Sequence, residues 1–88
     1  MDTYEWDEAK NDANRRKHGI GFELVYDLDW SKAKFKADER FDYGENRRLA
    51  FGRIEGRGYA IVFVIRGERV RIISVRRAHD TELQEYDL

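Results

Sequence analysis

The 88-residue sequence contains no cysteine and no proline. Without thiols there is no disulfide framework and no thiolate metal site. Without proline there is no proline-rich linker to part the chain into domains. The longest apolar run, Tyr59 to Ile65, is seven residues, far short of the ~20 that carry a helix across a bilayer. The opening Met1-Asp2-Thr3-Tyr4-Glu5 is acidic where a signal peptide is basic. The expected compartment is therefore the cytoplasm. No histidine pair is spaced for zinc, no glycine loop is built to cradle phosphate, and there is no nucleophile elbow. No metal or other cofactor is expected. Repeats and low-complexity segments are missing too.

What is there is a chain 41% hydrophobic, 14% aromatic and 40% charged. The aromatic share argues for a packed core rather than disorder. The length fits a single domain over residues 1–88 that buries roughly 60–65% of its unfolded surface. The net charge of −1 conceals an asymmetry. Nine arginines lie between Arg47 and Arg77, against only Glu55 and Glu68 in that stretch. A local arginine field of this kind holds phosphates even when the whole chain is near neutral. The plainer alternative is the solvated edge of a sheet.

Asp7 is placed to cap a helix whose last turn carries Arg15, Arg16, Lys17 and His18, with Gly19 just beyond. Trp6, Ala9 and Ala13 form the stripe expected to face the core. A shorter helix is expected from about Phe22 to Leu28, with Phe22, Val25 and Tyr26 on one face. Period two then takes over. Ala33, Phe35 and Ala37 alternate with Lys32, Lys34 and Lys36, a half-buried strand whose lysine face suits a sheet edge. Asp38 to Glu45 reads as a loop. Arg47 to Ile54 is the next strand, where Gly52 marks a bulge or a close backbone approach. Glu55-Gly56-Arg57-Gly58 is a hairpin loop. Tyr59 to Arg66 is apolar on both faces, hence central. Gly67-Glu68 is a two-residue turn with glycine first. Arg69 to Arg77 is the last strand, and Asp80 or Thr81 caps a terminal helix reaching about Tyr86. The sequence thus predicts an α+β fold: two N-terminal helices on a four-stranded antiparallel sheet, with a short C-terminal helix.

Glu5-Trp6-Asp7, Lys10, Asn14, Lys17-His18-Gly19 and Phe22-Glu23 resemble the opening of the BrnT family. Gly44-Glu45, Arg48 and Gly52 are similar to its middle. Arg71-Ile72-Ile73-Ser74, Arg76, Ala78, Glu82 and Tyr86 are similar to its close. The resemblance implies a RelE-like fold and a toxin of a type II toxin–antitoxin system. It also implies metal-independent endonucleolytic cleavage of messenger RNA that halts translation. The implied partner is a small BrnA-like ribbon–helix–helix antitoxin, forming a hetero-oligomer with the toxin and repressing their operon. Two departures stand out. His79 occupies a position where the family commonly has serine or threonine, so the cap is expected to shift to Asp80. Leu83-Gln84-Glu85 replaces a segment that tends to be basic.

Metal-free RNA cleavage needs a base for the ribose 2′-hydroxyl, cations for the phosphoryl oxygens and an acid for the leaving 5′-oxygen. Arginine suits the phosphate because its planar fork binds bidentately and stays charged. Arg76, at the handover from the last strand to the terminal helix, is the first choice; the plainer role is an ion pair with Glu82 or Asp80. Arg71 lies on the same strand at odd spacing, so only a bulge or an edge brings both to one phosphate. His18 is the preferred acid–base candidate, because histidine titrates near neutrality; a helix C-terminus also explains it. Arg48, Lys17, Arg77 and Tyr86 are candidate RNA contacts, Tyr86 by base stacking or else by closing the core. Glu45, Glu82 and His79 are weaker candidates. Trp6 and Trp30 are read as core. A non-catalytic RNA- or protein-binding module, or a decayed toxin keeping only its antitoxin interface, is the alternative function.

Overall fold

The structure is a computed structural model that describes residues 3–39 and 44–88. It opens with a two-residue strand, β1 (Tyr4–Glu5), and helix α1 (Glu8–His18). Two 3-10 helices follow, Phe22–Asp27 and Trp30–Lys32. The strands β2 (Lys34–Ala37), β3 (Arg48–Ile54), β4 (Arg57–Arg66) and β5 (Arg69–Arg77) come next, and helix α2 (Asp80–Gln84) closes the chain. The sheet order is β1-β5-β4-β3-β2. The three hairpin-type pairings are antiparallel, and β1 runs parallel to β5. The fold is α+β as expected, but the sheet has five strands and is mixed. Two residues cannot display a period, so β1 escapes any reading of alternation. The second N-terminal helix is a 3-10 helix, and part of the expected loop from Asp38 to Glu45 lies outside the described residues.

Helix α1 is delimited as its sequence dictates. Asp7 Oδ1 accepts from the Ala9 N–H at 2.8 Å, and Gly19 (φ +72°) donates its N–H to the Arg15 carbonyl. Its buried face differs from the expected one: Ala9 and Ala13 are exposed, while Asn11 and Asn14 are buried. Asn11 accepts from the Phe22 N–H at 2.8 Å and donates to Glu23 at 2.7 Å. Hydrogen bonding, not apolar burial, docks this helix. A periodicity scored on hydrophobicity alone misses such a face.

Strand β4 lies in the middle of the sheet, and apolar side chains line both of its faces. On one face, Ala50, Ile61, Phe63, Ile72 and Val75 form a core with Phe22, Val25 and Leu28 of the helical segment. Tyr26 stays 62% exposed, turning its ring edge-on to Tyr4 rather than joining that core. Gly52 is a close approach, since a Cβ there would meet Leu28. On the other face, Leu49, Phe51, Ala60 and Val62 form a smaller core with Ala78 and with Leu83 of the short α2, and Tyr86 and Leu88 pack against it. Strand β2 takes the edge as expected, yet all four of its residues are exposed, Phe35 to 45%. At the sheet edge Phe35 is covered on one side only, by the rings of Trp30 and Phe63.

The β3–β4 connection is tighter than expected. β4 starts at Arg57, so the turn is Glu55-Gly56 alone, with φ +51° and +82°. His79, not Asp80, takes the N-cap position of α2, and Glu82 accepts from its N–H at 3.2 Å.

Candidate active site

Helix α1 and the 3-10 segment cover most of one sheet face, so the other face is the more open one. Val62 pairs with Ser74 and Phe63 with Ile72, leaving Ile73 as an extra residue in β5. A bulge of one residue shifts the alternation of everything beyond it. Arg71 lies opposite Val64 and Arg76 opposite Ala60, and these partners are four residues apart on β4. Arg71 and Arg76 therefore share the open face, despite their odd spacing. Lys34 and Lys36 of β2 join them there, opposite Phe51 and Leu49.

Arg76 grips Glu82 with both arms of its fork, Nη1–Oε1 at 2.9 Å and Nη2–Oε2 at 3.0 Å. The Arg76 bonds, opposed by burial and helped by the His79 N–H, lower the Glu82 pKa to about 2. The pair stands at one wall of an open cleft of about 700 Å³. Leu49 and Phe51 form part of its lining, and Lys36, Asp38 and Glu39 supply charged groups. Lys36 was not a sequence candidate. Its only signal was the lysine face of β2, which edge protection explains equally well.

The remaining candidates divide. Arg71 Nη1 binds Glu5 Oε2 at 2.7 Å and so ties β1 to β5. Arg48 is exposed at the start of β3, opposite Phe63, which assigns it to the α1 side of the sheet. Tyr86 stacks on Phe51, ring centroids 4.8 Å apart and 15° from parallel, so it closes the second core. Trp6 and Trp30 pack against the first core as expected. Glu45 lies between Arg47 and Arg66, each at 3.2 Å, and these bonds lower its pKa.

His18 and Arg77 do come together, but away from Arg76. They line a second cleft of about 430 Å³ with Arg57, Tyr59 and Glu23. The Arg77 guanidinium lies 5.5 Å from the Tyr59 ring centroid. Lys17 is exposed beside His18 in the last turn of α1.

Residues 6–82 match the family model described as the ribonuclease toxin BrnT of a type II toxin–antitoxin system. The chain belongs to the BrnT family of ribonuclease toxins. Its fold is similar to the crystal structure of the Brucella abortus ribonuclease toxin BrnT, with a TM-score of 0.71. The two are 29% identical, over 89% of this chain and 99% of that one. No curated protein matches the sequence. As a BrnT toxin the protein is an endoribonuclease, with RNA as substrate and an antitoxin as partner. Among the described residues, no helix is long and apolar enough to cross a membrane.

For a BrnT ribonuclease the Arg76–Glu82 pair is chemically apt. A guanidinium and a carboxylate held side by side can serve the two poles of phosphodiester transfer, the phosphoryl oxygens and the attacking hydroxyl. While Arg76 holds it, however, a carboxylate titrating at about 2 is a feeble base.

Proposed function

We propose that this BrnT toxin cleaves messenger RNA in the Arg76–Glu82 cleft by attack of a ribose 2′-hydroxyl on the adjacent phosphorus. The observation supporting this reading is the bidentate pair at the wall of the open-face cleft, with Lys36 also lining it. Arg76 turns from Glu82 to the non-bridging oxygens, and Lys36 adds a second cation. The freed Glu82 accepts the 2′-hydroxyl proton as the 2′-oxygen–phosphorus bond forms. The bond from phosphorus to the 5′-oxygen breaks, that oxygen takes a proton from water, and the hydroxide left behind takes the proton held by Glu82. The products are a 2′,3′-cyclic phosphate and a 5′-hydroxyl. The nucleophile belongs to the substrate, so the scheme uses no metal. It gives His18 no part in proton transfer.

Loss of intact messages stops translation, so growth arrest follows in the cytoplasm. The partner in this reading is a BrnA-like ribbon–helix–helix antitoxin that forms a hetero-oligomer with the toxin.

Incubation of the purified toxin with end-labelled RNA tests the assignment. Wild type cuts in the presence of a chelator and leaves 5′-hydroxyl ends. A 2′-deoxy substitution at the scissile position abolishes the cut, and Arg76→Ala lowers the rate by about 10²–10³. Cleavage by Arg76→Ala at the wild-type rate sinks the site.

A further inference from the structure

The open-face cleft is poorly furnished to attract a polyanion. Its lining sets Lys36 and Arg76 against Asp38, Glu39 and Glu82. Two other arginines of that face are compensated, Arg71 by Glu5 at 2.7 Å and Arg53 by Asp80 at 3.2 Å, and Arg69 stands at the far end of β5 from Arg76. A nuclease needs cations that are not already spent, because backbone phosphates supply most of the affinity for a nucleic acid.

Such cations line the second cleft. Among the described residues, no carboxylate lies within ion-pairing distance of Arg57 or Arg77. Among the described residues, the Arg77 guanidinium makes a long Nε bond to the Gly58 carbonyl, 3.4 Å, and lies over the Tyr59 ring. The acid in the lining, Glu23, is committed elsewhere. It accepts from Arg15 Nη2 at 2.6 and 2.7 Å and from Asn11 at 2.7 Å. Arg16, Lys17 and His18 add further basic groups in the adjacent turn of α1.

We infer that the cleft formed by His18, Arg57, Tyr59 and Arg77 is a second RNA subsite, which holds a phosphate of single-stranded RNA outside the scissile bond. The strand geometry supplies the link. Arg76 and Arg77 are neighbours on β5, so they project to opposite faces at the same end of the sheet. An RNA strand that crosses this end can give one phosphate to Arg76 and another to Arg77 and Arg57. The Tyr59 ring stiffens the Arg77 guanidinium, and Arg57, first residue of β4, reaches the same space from the hairpin. The inference rests on the Arg76–Glu82 assignment only for which phosphate is cut.

Fluorescence anisotropy with a labelled 20-nucleotide single strand, 2′-deoxy throughout so that it is not cleaved, tests the subsite across a salt series. Arg57→Ala lowers affinity severalfold and reduces the slope of log K against log salt by about 0.7, the value for one single-strand phosphate. Arg57→Ala with Arg77→Ala lowers it by about 1.4, while Arg57→Lys retains most of the slope. An Arg57→Ala protein that melts like wild type and keeps both affinity and slope overturns the subsite. So does a double variant that keeps its RNA affinity and loses only antitoxin binding. Normal cleavage by Arg76→Ala removes the catalytic assignment and leaves this result standing.

Discussion

The carboxamide of Asn14 serves both backbone groups of Val75. Its Nδ2 donates to the Val75 carbonyl at 2.8 Å, and its Oδ1 accepts from the Val75 N–H at 3.3 Å. β1 pairs with β5 only at Val70 and Arg71, so beyond that point Asn14 takes the place of a neighbouring strand. Nδ2 also donates to the Ile20 carbonyl at 2.9 Å, which fixes the chain leaving α1. Asn14→Leu fills the space but strands buried backbone groups. It is expected to cost about 2–4 kcal/mol and to lower the Tm by roughly 10–25 °C, read by urea and thermal unfolding. A loss within 0.5 kcal/mol, to take a round figure of about the size of a surface change, means the clamp is dispensable.

That clamp also shows where sequence reasoning reaches its end. The hairpins, the central β4 and the edge position of β2 were legible, because turn residues and period-two apolarity are local signals. The face of α1 was not, because Asn11 and Asn14 are polar residues whose partners sit on other elements. Placement of Arg71 and Arg76 on one face depended on the bulge at Ile73, which Arg71-Ile72-Ile73-Ser74 does not announce. His18 was legible as a histidine at a helix end and Arg77 as a cation at a strand end. Their meeting with Arg57 depended on how α1 lies against β5.

The Glu82 carboxyl titrates at about 2 in the folded chain rather than at the usual 4.5. A depressed folded value means the ionised form favours folding. The Arg76–Glu82 contribution is therefore complete above about pH 4.5 and disappears as the pH falls toward 2. With both side chains about one-third exposed, screening reduces it to about 1–2 kcal/mol. Glu82→Gln should destabilise by that amount at pH 7 and much less at pH 2.5, so the difference between the two stability curves isolates this pair. A constant difference across pH 2–7 contradicts the assignment. The same variant should lose about 10²–10⁴ in cleavage rate if Glu82 is the base.

Glu55 occupies the left-handed region at φ +51°, followed by Gly56 at +82°. Two successive positive φ values define the type I′ turn that joins β3 to β4, and asparagine accepts the first position better than glutamate. Glu55→Asn is expected to stabilise the toxin by about 0.5–1 kcal/mol, with cleavage unchanged. Chemical denaturation gives the value, and a destabilised variant refutes the strain argument.

Gly58 links the fold to the chemistry. A Cβ at this position would press into the Leu83 side chain and lie 3.0 Å from the Ala78 carbonyl oxygen. Leu83 is fully buried and is the anchor of α2; Glu82 precedes it. The bare backbone at Gly58 makes room for the Leu83 side chain that seats α2, next to the Glu82 that meets Arg76 with both oxygens. Gly58→Ala should lift α2 while β3, β4 and β5 persist, at a cost of about 1–3 kcal/mol. A displacement near 1 Å at the pair is enough to lower cleavage by about 100-fold. Circular dichroism would retain the sheet signal while RNA cleavage falls. Because Leu83 meets the added methyl with its flexible tip, Gly58→Val is the stricter test. Wild-type cleavage by a folded Gly58→Val protein shows that the seating of α2 does not govern the reaction.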